Sequence, residues 1–201
     1  MSREEGDRRL LLGLMLTRAF RVGDFVLASG QRSRYYFDGR LVTLDPMGAL
    51  LVGRAMLKFA REDGLSKIGG PTLGADPIVT AVAICSALDG GAGVSGFIVR
   101  KEVKAHGAGG WWAGPPPEPG DSVALVDDAL TSGSSLLDAA EKVTTSGARI
   151  VALYTLLDRQ EGGRERLEQA GYRVRAVFLR TDLLDSEGRA LSPPVDGGAN
   201  V

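Results

Sequence analysis

Two adjacent acids followed by a run of hydroxyl-bearing residues form the segment of this sequence best suited to chemistry. Asp127 and Asp128 follow the apolar run 122–126, and residues 131–135 carry four hydroxyls and one glycine. Small residues let backbone N–H groups converge on a phosphate, and the start of a following helix favours negative charge. Two carboxylates repel a phosphate that faces them, so their expected partners are sugar hydroxyls, a metal ion or a cationic sugar carbon. The pattern predicts a site for a phosphorylated sugar.

The same pattern also has a purely structural interpretation. Acids at a strand end and Ser/Thr residues at a helix start often serve only as a cap, and for an isolated motif that interpretation is the more frequent one. The sequence contains no P-loop of the form Gly-x-x-x-x-Gly-Lys-Ser/Thr, and no Gly-x-Gly-x-x-Gly opens a helix after a strand. Nucleoside-triphosphate hydrolysis and dinucleotide binding are therefore disfavoured.

The second candidate is the most cationic stretch of the chain, which follows the apolar run 97–99. It holds three cations and the only histidine: Arg100, Lys101, Lys104 and His106. A solvated basic loop is the simple interpretation. Because several glycines follow, the stretch can also be a mobile loop that closes over a polyanion and excludes water. The acidic segment downstream favours this second interpretation.

Composition limits the classes of function. In 201 residues, 24 Lys and Arg balance 25 Asp and Glu, and the net charge of -1 gives no overall attraction to nucleic acid or anionic membrane. Cys85 is the only cysteine, which excludes an intrachain disulfide and favours a reducing, cytoplasmic compartment. The apolar run 10–16 is too short to span a bilayer. We expect one cytoplasmic domain over residues 1–201 that binds neither nucleic acid nor membrane.

The elements that position these residues follow from the alternation of short apolar runs and helical segments after residue 66. That alternation predicts an α/β fold with a mostly parallel central sheet flanked by helices. Before it, an amphipathic helix and two aromatic runs separated by a turn-rich segment predict a small helix and β-hairpin hood. We assign residues 1–45 to the hood and 46–191 to the core. Within the core, residues of about 100–120 are expected to form a flexible lid. Residues 192–201, after the core, are expected to be a disordered tail.

Several of these segments resemble one known family. Residues 126–135 resemble the motif that binds phosphoribosyl pyrophosphate (PRPP) in type I phosphoribosyltransferases. Residues 100–107 resemble the flexible-loop signature of orotate phosphoribosyltransferases, with all four charged positions kept. The hairpin 25–36, the loop 69–77 and the pair Asp158 and Arg159 are also similar to that family. The resemblance covers most of the chain and implies a type I phosphoribosyltransferase fold.

The resemblance implies a role for each matching residue. PRPP would be bound by Arg100, Lys101, Lys104, His106, Asp127, Asp128, Ala129, Leu130, Thr131, Ser132, Gly133, Ser134 and Ser135. Lys104, Asp127 and Asp128 would be the catalytic residues, with the lysine at the tip of the closing lid and the acids on the ribose hydroxyls. Thr131 and Arg159 would contact orotate, whose carboxylate suits a bidentate guanidinium.

The implied reaction transfers phosphoribosyl from PRPP to orotate, giving orotidine 5′-monophosphate and pyrophosphate in pyrimidine biosynthesis. The resemblance also implies Mg²⁺, bound mainly through PRPP and water without dedicated protein ligands, and a homodimer whose lid crosses to the neighbouring site. Two alternatives remain: a phosphoribosyltransferase for another nucleobase, and a regulator that binds PRPP without turnover. The basic lid and Arg159 favour orotate, and no basic nucleic-acid-binding segment is visible at the N-terminus.

Four features depart from the family pattern or lie outside it. Ala28 stands where many members have a lysine, and the loop around Asp76 lacks another. Ser134 replaces an expected glycine, which would be costly if that position required a positive φ. Trp111 and Trp112 lie in the predicted lid, where covering the site and packing against the protein are equally consistent with the sequence.

Overall fold

The computed structural model describes residues 2–26, 32–104 and 110–194, and for Lys104 its backbone alone. Its helices are α1 (Arg3–Leu14), α2 (Arg40–Thr43), α3 (Pro46–Glu62), α4 (Ala75–Leu88), α5 (Ser134–Thr145) and α6 (Gly163–Gln169). Its strands are β1 (Phe20–Val26), β2 (Arg32–Phe37), β3 (Lys67–Pro71), β4 (Ser95–Lys104), β5 (Gly110–Ala113), β6 (Ser122–Leu130), β7 (Arg149–Asp158) and β8 (Val174–Leu179).

The central sheet has six strands in the order β5-β4-β3-β6-β7-β8. All neighbours in it are parallel except β4 and β5. Parallel strands covered by helices on both faces need apolar side chains on both faces. In β6 the run from Val123 to Val126 is fully buried. The predicted α/β fold with a mostly parallel, helix-flanked sheet is confirmed.

Alternation along β6 divides the core between the two faces of the sheet. Val123 and Leu125 belong to the cluster formed with α5 and α6, whereas Ala124 and Val126 belong to the cluster formed with α1, α3 and α4. The two-residue period of a strand places successive side chains on opposite faces. The sheet is therefore held by apolar packing on both sides, which fixes the positions of its strand ends.

The helix α3 begins and ends where its sequence predicts. The Asp45 side chain accepts hydrogen bonds from the N–H groups of Met47 and Gly48 at 3.1 and 3.0 Å, and Pro46 occupies the first turn. After the helix, Gly64 has a φ of 68°, a conformation that glycine adopts without steric cost.

The hood precedes this core. The helix α1 begins with a capping box between Ser2 and Glu5, and a π-helical turn over Met15–Ala19 leads into β1. Strands β1 and β2 pair antiparallel in a two-stranded sheet, so the predicted hairpin is confirmed. Ala28 and the rest of residues 27–31 lie outside the described residues.

Residues 110–113, within the stretch of about 100–120 predicted as a lid, form the strand β5 and not a loop. This short strand pairs antiparallel with β4, with Val99 opposite Trp112 and Lys104 opposite Gly110. Trp112 packs edge-on against Phe97 with ring centroids 5.8 Å apart, and the Lys142 ammonium lies 4.1 Å from the Trp111 ring centroid. Aromatic residues favour strands when they can pack on a neighbouring surface, and here that packing outweighs the nearby glycines. Trp112 thus packs against the core, and Trp111 packs against the Lys142 side chain.

The C-terminal segment is irregular after the 3₁₀ turn Arg180–Asp182, apart from one bridge between Leu184 and Ala190. Residues 195–201 lie outside the described residues, so the disordered tail stays a prediction. Over the described parts of the chain, no helix combines the length and the apolar character needed to cross a membrane.

Candidate functional site

The candidate site lies where the direction of the sheet connections reverses. From β3 the chain passes through α4 to β4 on one side, and from β6 it passes through α5 to β7 on the other. Ligands of open α/β sheets bind outside the carboxyl ends of the strands at such a switch point. The loop after β3 and the acid pair of β6 meet here.

Asp127 and Asp128 lie on a half-paired stretch of β6. The pairing of β6 with β3 ends at Leu125, whereas its pairing with β7 continues to Leu130. The side of the strand that carries the acids therefore opens toward the loop after β3. The sequence placed the acids at the end of the strand, and the strand in fact extends two residues past them.

Two glycines from other elements make room for these carboxylates. A β-carbon built on Gly74 would lie 2.1 Å from Asp127 Oδ1 and 2.7 Å from Asp128 Oδ1. A β-carbon built on Gly39, in the turn after β2, would lie 2.7 Å from Asp128 Oδ2. Any larger side chain at either glycine would displace a carboxylate. Gly39 was not among the residues singled out in the sequence, because only the fold brings the hood turn to the acid pair.

Burial makes the charged forms of both carboxyl groups, Asp127 and Asp128, less stable than they are in water. The Asp127 carboxylate accepts a hydrogen bond of 3.0 Å from the Asp128 N–H. Burial, followed by the charge of Asp128, raises the pKa of Asp127 well above its ordinary value, and burial also raises the pKa of Asp128. Two such carboxylates are stabilised in their charged forms by donors, such as the hydroxyls of a sugar.

The hydroxyl-rich loop forms a small cradle at the start of α5. A cavity of about 90 Å³ is lined by Asp127 and by residues 129–136. The first N–H groups of a helix have no partner within the helix, so they are available to an anion. Gly133 supplies the positive φ of 75° at the turn, while Ser134 is already the first residue of α5. The glycine that the family has at position 134 is thus not required here for backbone reasons.

The loop after β3 is fixed by its own side chains. Thr72 Oγ1 donates to Asp76 Oδ2 at 2.8 Å, and the Thr72 N–H donates to the Val99 carbonyl at 3.2 Å. The other oxygen, Asp76 Oδ1, is buried without a hydrogen-bond partner among the described residues. Asp76, which stands in the segment lacking the family's lysine, therefore acts within the described structure as a brace of this loop.

The cationic stretch begins beside the phosphate cradle. A second cavity of about 200 Å³ is lined by residues of three elements: Pro71, Thr72, Val99, Arg100, Lys101, Ser135, Asp138, Ala139 and Lys142. Ser135 lines both cavities, so Arg100 and Lys101 lie close to the cradle. The backbone of Lys104 continues β4, and His106 lies outside the described residues.

The two residues predicted to contact the acceptor follow neighbouring strands. Thr131 comes directly after β6 and Arg159 directly after β7, and the Arg159 N–H donates to the Leu130 carbonyl at 3.0 Å. The Arg159 side chain is nearly buried and is contacted by Tyr35 of the hood and by Glu161. Neither contact was anticipated from the sequence, although Glu161 lies only two residues beyond Arg159.

Cys85 of α4 is buried and belongs to the core. Its thiol is 3.8 Å from the Leu50 carbonyl, and burial raises its pKa. A raised pKa lowers the fraction of reactive thiolate.

If the crevice binds PRPP as the sequence resemblance implies, Gly74→Ala should lower kcat/KM for PRPP by about 100-fold, since a shift of about 1 Å in a positioned group can have an effect of that size. The φ of Gly74 is -59°, so alanine introduces no backbone strain and acts only through the carboxylates. Steady-state kinetics with PRPP measures the loss. Gly93→Ala is the matched control, because a β-carbon there has no heavy atom within 4 Å. A value within threefold of wild type for Gly74→Ala would contradict this account of the crevice.

Comparison with known proteins gives one consistent result. No model of a protein family matches the chain. The chain is 42% identical over 176 residues to the orotate phosphoribosyltransferase of Nostoc sp., a match that covers 88% of this chain and 84% of the relative. Among solved structures, orotate phosphoribosyltransferase of Mycobacterium tuberculosis in complex with Fe(III) dicitrate matches with a TM-score of 0.78 and 35% identity. The PRPP complex of the mycobacterial protein matches with a TM-score of 0.74 and 32% identity. Each structural match covers 88% of this chain and 98% of the mycobacterial chain.

Proposed function

The chain belongs to the orotate phosphoribosyltransferase family, and we propose that it transfers the phosphoribosyl group of PRPP to a ring nitrogen of orotate. The products are orotidine 5′-monophosphate and pyrophosphate, in a step of pyrimidine biosynthesis. The observation that carries the proposal is the convergence of the acid pair and the phosphate cradle at the switch point, with Arg159 on the adjacent strand end.

In this proposal PRPP spans the crevice along β6. Its 5′-phosphate lies in the cradle of residues 131–135, where backbone N–H groups and hydroxyls donate to its oxygens. Asp127 and Asp128 accept hydrogen bonds from the ribose hydroxyls. Those hydrogen bonds offset the free-energy cost of keeping the carboxylates charged in a buried position. Because the carboxylates are fixed, the same bonds that bind the ribose also orient it.

The reaction breaks the bond between the anomeric carbon and the pyrophosphate oxygen, and the bonding electron pair leaves with pyrophosphate. A ring nitrogen of orotate forms the new bond to the same carbon. Positive charge grows on the sugar and negative charge on the leaving group, so electrostatic stabilisation dominates. Arg100, Lys101, Lys104 and His106 bind the diphosphate in this proposal, a role supported by the place of the first two beside the cradle. Mg²⁺ would accompany the diphosphate, held mainly by its oxygens and water, and would neutralise part of its charge.

The acceptor lies in this proposal between the cradle and the hood. Arg159 binds the orotate carboxylate, and Thr131 contacts the base. A guanidinium presents paired donors that match the geometry of a carboxylate. The nearly complete burial of Arg159 supports the assignment, because a buried cation binds an anion with little competition from water.

We further propose a cytoplasmic homodimer in which the lid carrying Lys104 reaches the neighbouring site. Large apolar side chains exposed on α2, in the link after it and at the start of α3 support an interface there: Leu41 at 48%, Leu44 at 71% and Met47 at 51%. Exposed apolar patches on a folded protein often mark sites of association.

An acceptor panel tests the proposed function. We expect PRPP, Mg²⁺ and protein to consume orotate, with a kcat/KM at least about 1,000-fold above that for uracil, hypoxanthine or adenine, because a site built for a carboxylate disfavours acceptors that lack it. Orotate loss is followed by ultraviolet absorbance. Preference for another base would replace orotate in the proposal, and PRPP binding without consumption of any base would favour a regulator.

A further inference from the structure

Glu161 and Tyr35 hold one edge of the Arg159 guanidinium. Arg159 Nε donates to the Tyr35 hydroxyl oxygen at 3.0 Å and to Glu161 Oε1 at 3.2 Å, and the Tyr35 hydroxyl donates to the same Glu161 oxygen at 2.8 Å. The guanidinium also lies over the Tyr35 ring, 4.8 Å from its centroid. Three groups from the hood and the core therefore form one closed arrangement.

The backbone that carries Arg159 and Glu161 is fixed independently. Asp158, which is 1% exposed, accepts hydrogen bonds from the Gln160 N–H at 2.8 Å and from Arg164 Nε at 2.6 Å. Gln160 has a φ of 54°, the only positive φ at a non-glycine residue in the described ranges. This turn presents Arg159 and Glu161 toward the same partner, Tyr35. The arrangement is thus determined by the local chain as well as by the side chains.

The Nη2 atom, on the same side of the guanidinium as Nε, is buried without a hydrogen bond to any described residue. The Arg159 residue is 7% exposed. Its Nη2 atom lies 3.1 Å from Glu161 Oε1, yet it has no hydrogen bond of regular geometry to any described residue. A buried donor without an acceptor costs free energy, and at a binding site it indicates the place of a ligand acceptor. A carboxylate on the ligand has the chemistry to fill that place.

The Tyr35 hydroxyl is a dependable donor in this arrangement. Burial, followed by the hydrogen bond to Glu161, raises the pKa of Tyr35 to about 12. The ring also stacks on Phe20 of β1 with centroids 5.2 Å apart, which ties it to the hood. Contact between the hood and the Arg159 loop is therefore maintained across the neutral pH range.

We propose that Glu161, together with Tyr35, is a positioning residue that fixes Arg159 so that its Nη2 group, which makes no hydrogen bond to a described residue, donates to the carboxylate of the acceptor. This inference rests on the proposed function and adds the residues that set its acceptor specificity. Glu161 acts through its acceptor oxygen, so glutamine, which keeps an oxygen at that place, should preserve the arrangement, whereas alanine should not.

Steady-state kinetics of three variants tests the inference. We expect Glu161→Ala to raise KM for orotate about tenfold, the size expected for one hydrogen bond to a charged group, with kcat and KM for PRPP within about threefold of wild type. Glu161→Gln should return the orotate KM to within about threefold of wild type. Glu165→Ala, at an exposed acid of α6, is the matched control and should match wild type.

Two outcomes would overturn the inference alone. One is an unchanged orotate KM in Glu161→Ala beside an active wild type. The other is an equal rise in both KM values together with a lower Tm, which would indicate a general structural role. A wild-type protein that does not consume orotate would overturn the proposed function and this inference together.

Discussion

Replacing Lys104 with alanine is expected to lower kcat for orotate consumption by about 100- to 1,000-fold, the range seen when one donor to a developing anion is removed. The backbone of Lys104 ends β4, opposite Gly110 of β5, so the residue belongs to the last described pair of the predicted lid. A cation there would meet the pyrophosphate as its charge develops. Because this contribution arises in the transition state, kcat should fall more than affinity for PRPP.

The measurement is kcat at saturating PRPP and orotate, accompanied by Tm. We expect Tm to stay within about 1 °C of wild type, because in the proposed mechanism Lys104 contacts the leaving group and not the core, and such substitutions usually change stability by at most about 0.5 kcal/mol. Lys58→Ala, at a half-buried lysine of α3 that pairs with Glu4 and Glu62, is the control. Turnover of Lys104→Ala within threefold of wild type would remove the lid lysine from the mechanism.

Mixing two inactive variants shows whether the lid of one subunit serves the site of its neighbour or the site of its own subunit. If the lid serves the neighbouring site, a dimer of one Lys104→Ala and one Asp127→Asn subunit contains one intact site and one site with both defects. Random exchange of equal amounts of the two inactive variants should then recover about a quarter of wild-type activity. No recovery despite proven exchange would show that each lid serves its own subunit.

The second large effect is expected for Asp127→Asn, which should lower kcat/KM by about 100-fold or more because the ribose loses a charged acceptor. The same change should stabilise the fold at neutral pH. Asparagine keeps the oxygen that accepts from the Asp128 N–H, yet it removes the charge that burial and Asp128 disfavour. Removing an unfavourable buried charge from a functional site typically raises the free energy of unfolding by about 1 kcal/mol. For a chain of this size, that corresponds to an increase of roughly 2–4 °C in Tm.

The sign of the pH dependence follows from the raised pKa. A carboxyl whose pKa is higher in the folded than in the unfolded protein lowers stability once the pH exceeds its unfolded value. The Tm advantage of Asp127→Asn should therefore be absent near about pH 4 and grow toward about pH 8. Scanning calorimetry over that range measures it, with the exposed Asp89→Asn as control. An advantage that shrinks as pH rises would contradict the proposed electrostatics of the pair.

The parts of the site that follow one another in the chain were predictable from sequence. The acid pair, the hydroxyl run and the helix after them are contiguous, so their types and spacing express the local geometry directly. The expected cost at Ser134 was not borne out, because the positive φ falls one residue earlier, at Gly133. Which of two neighbouring positions takes that conformation depends on the exact start of α5, and element boundaries are the least certain part of a sequence-based prediction.

The parts that depend on distant segments could not be predicted in the same way. The clearance that Gly39 and Gly74 give the carboxylates exists only because the hood turn and the loop after β3 converge on β6. The hydrogen bond from Arg159 to Tyr35 joins residues 124 positions apart in the chain. The strand β5 was missed because its tryptophans pack against Phe97 and Lys142, whereas the surrounding glycines and prolines indicate a loop.

Joining of PRPP to orotate in this crevice is tested by counting the pyrophosphate released against the orotate consumed in one reaction. We expect a one-to-one ratio, formation of orotidine 5′-monophosphate, and almost no pyrophosphate when orotate is left out. Pyrophosphate release that is equal with and without orotate, or no release under either condition, would contradict it.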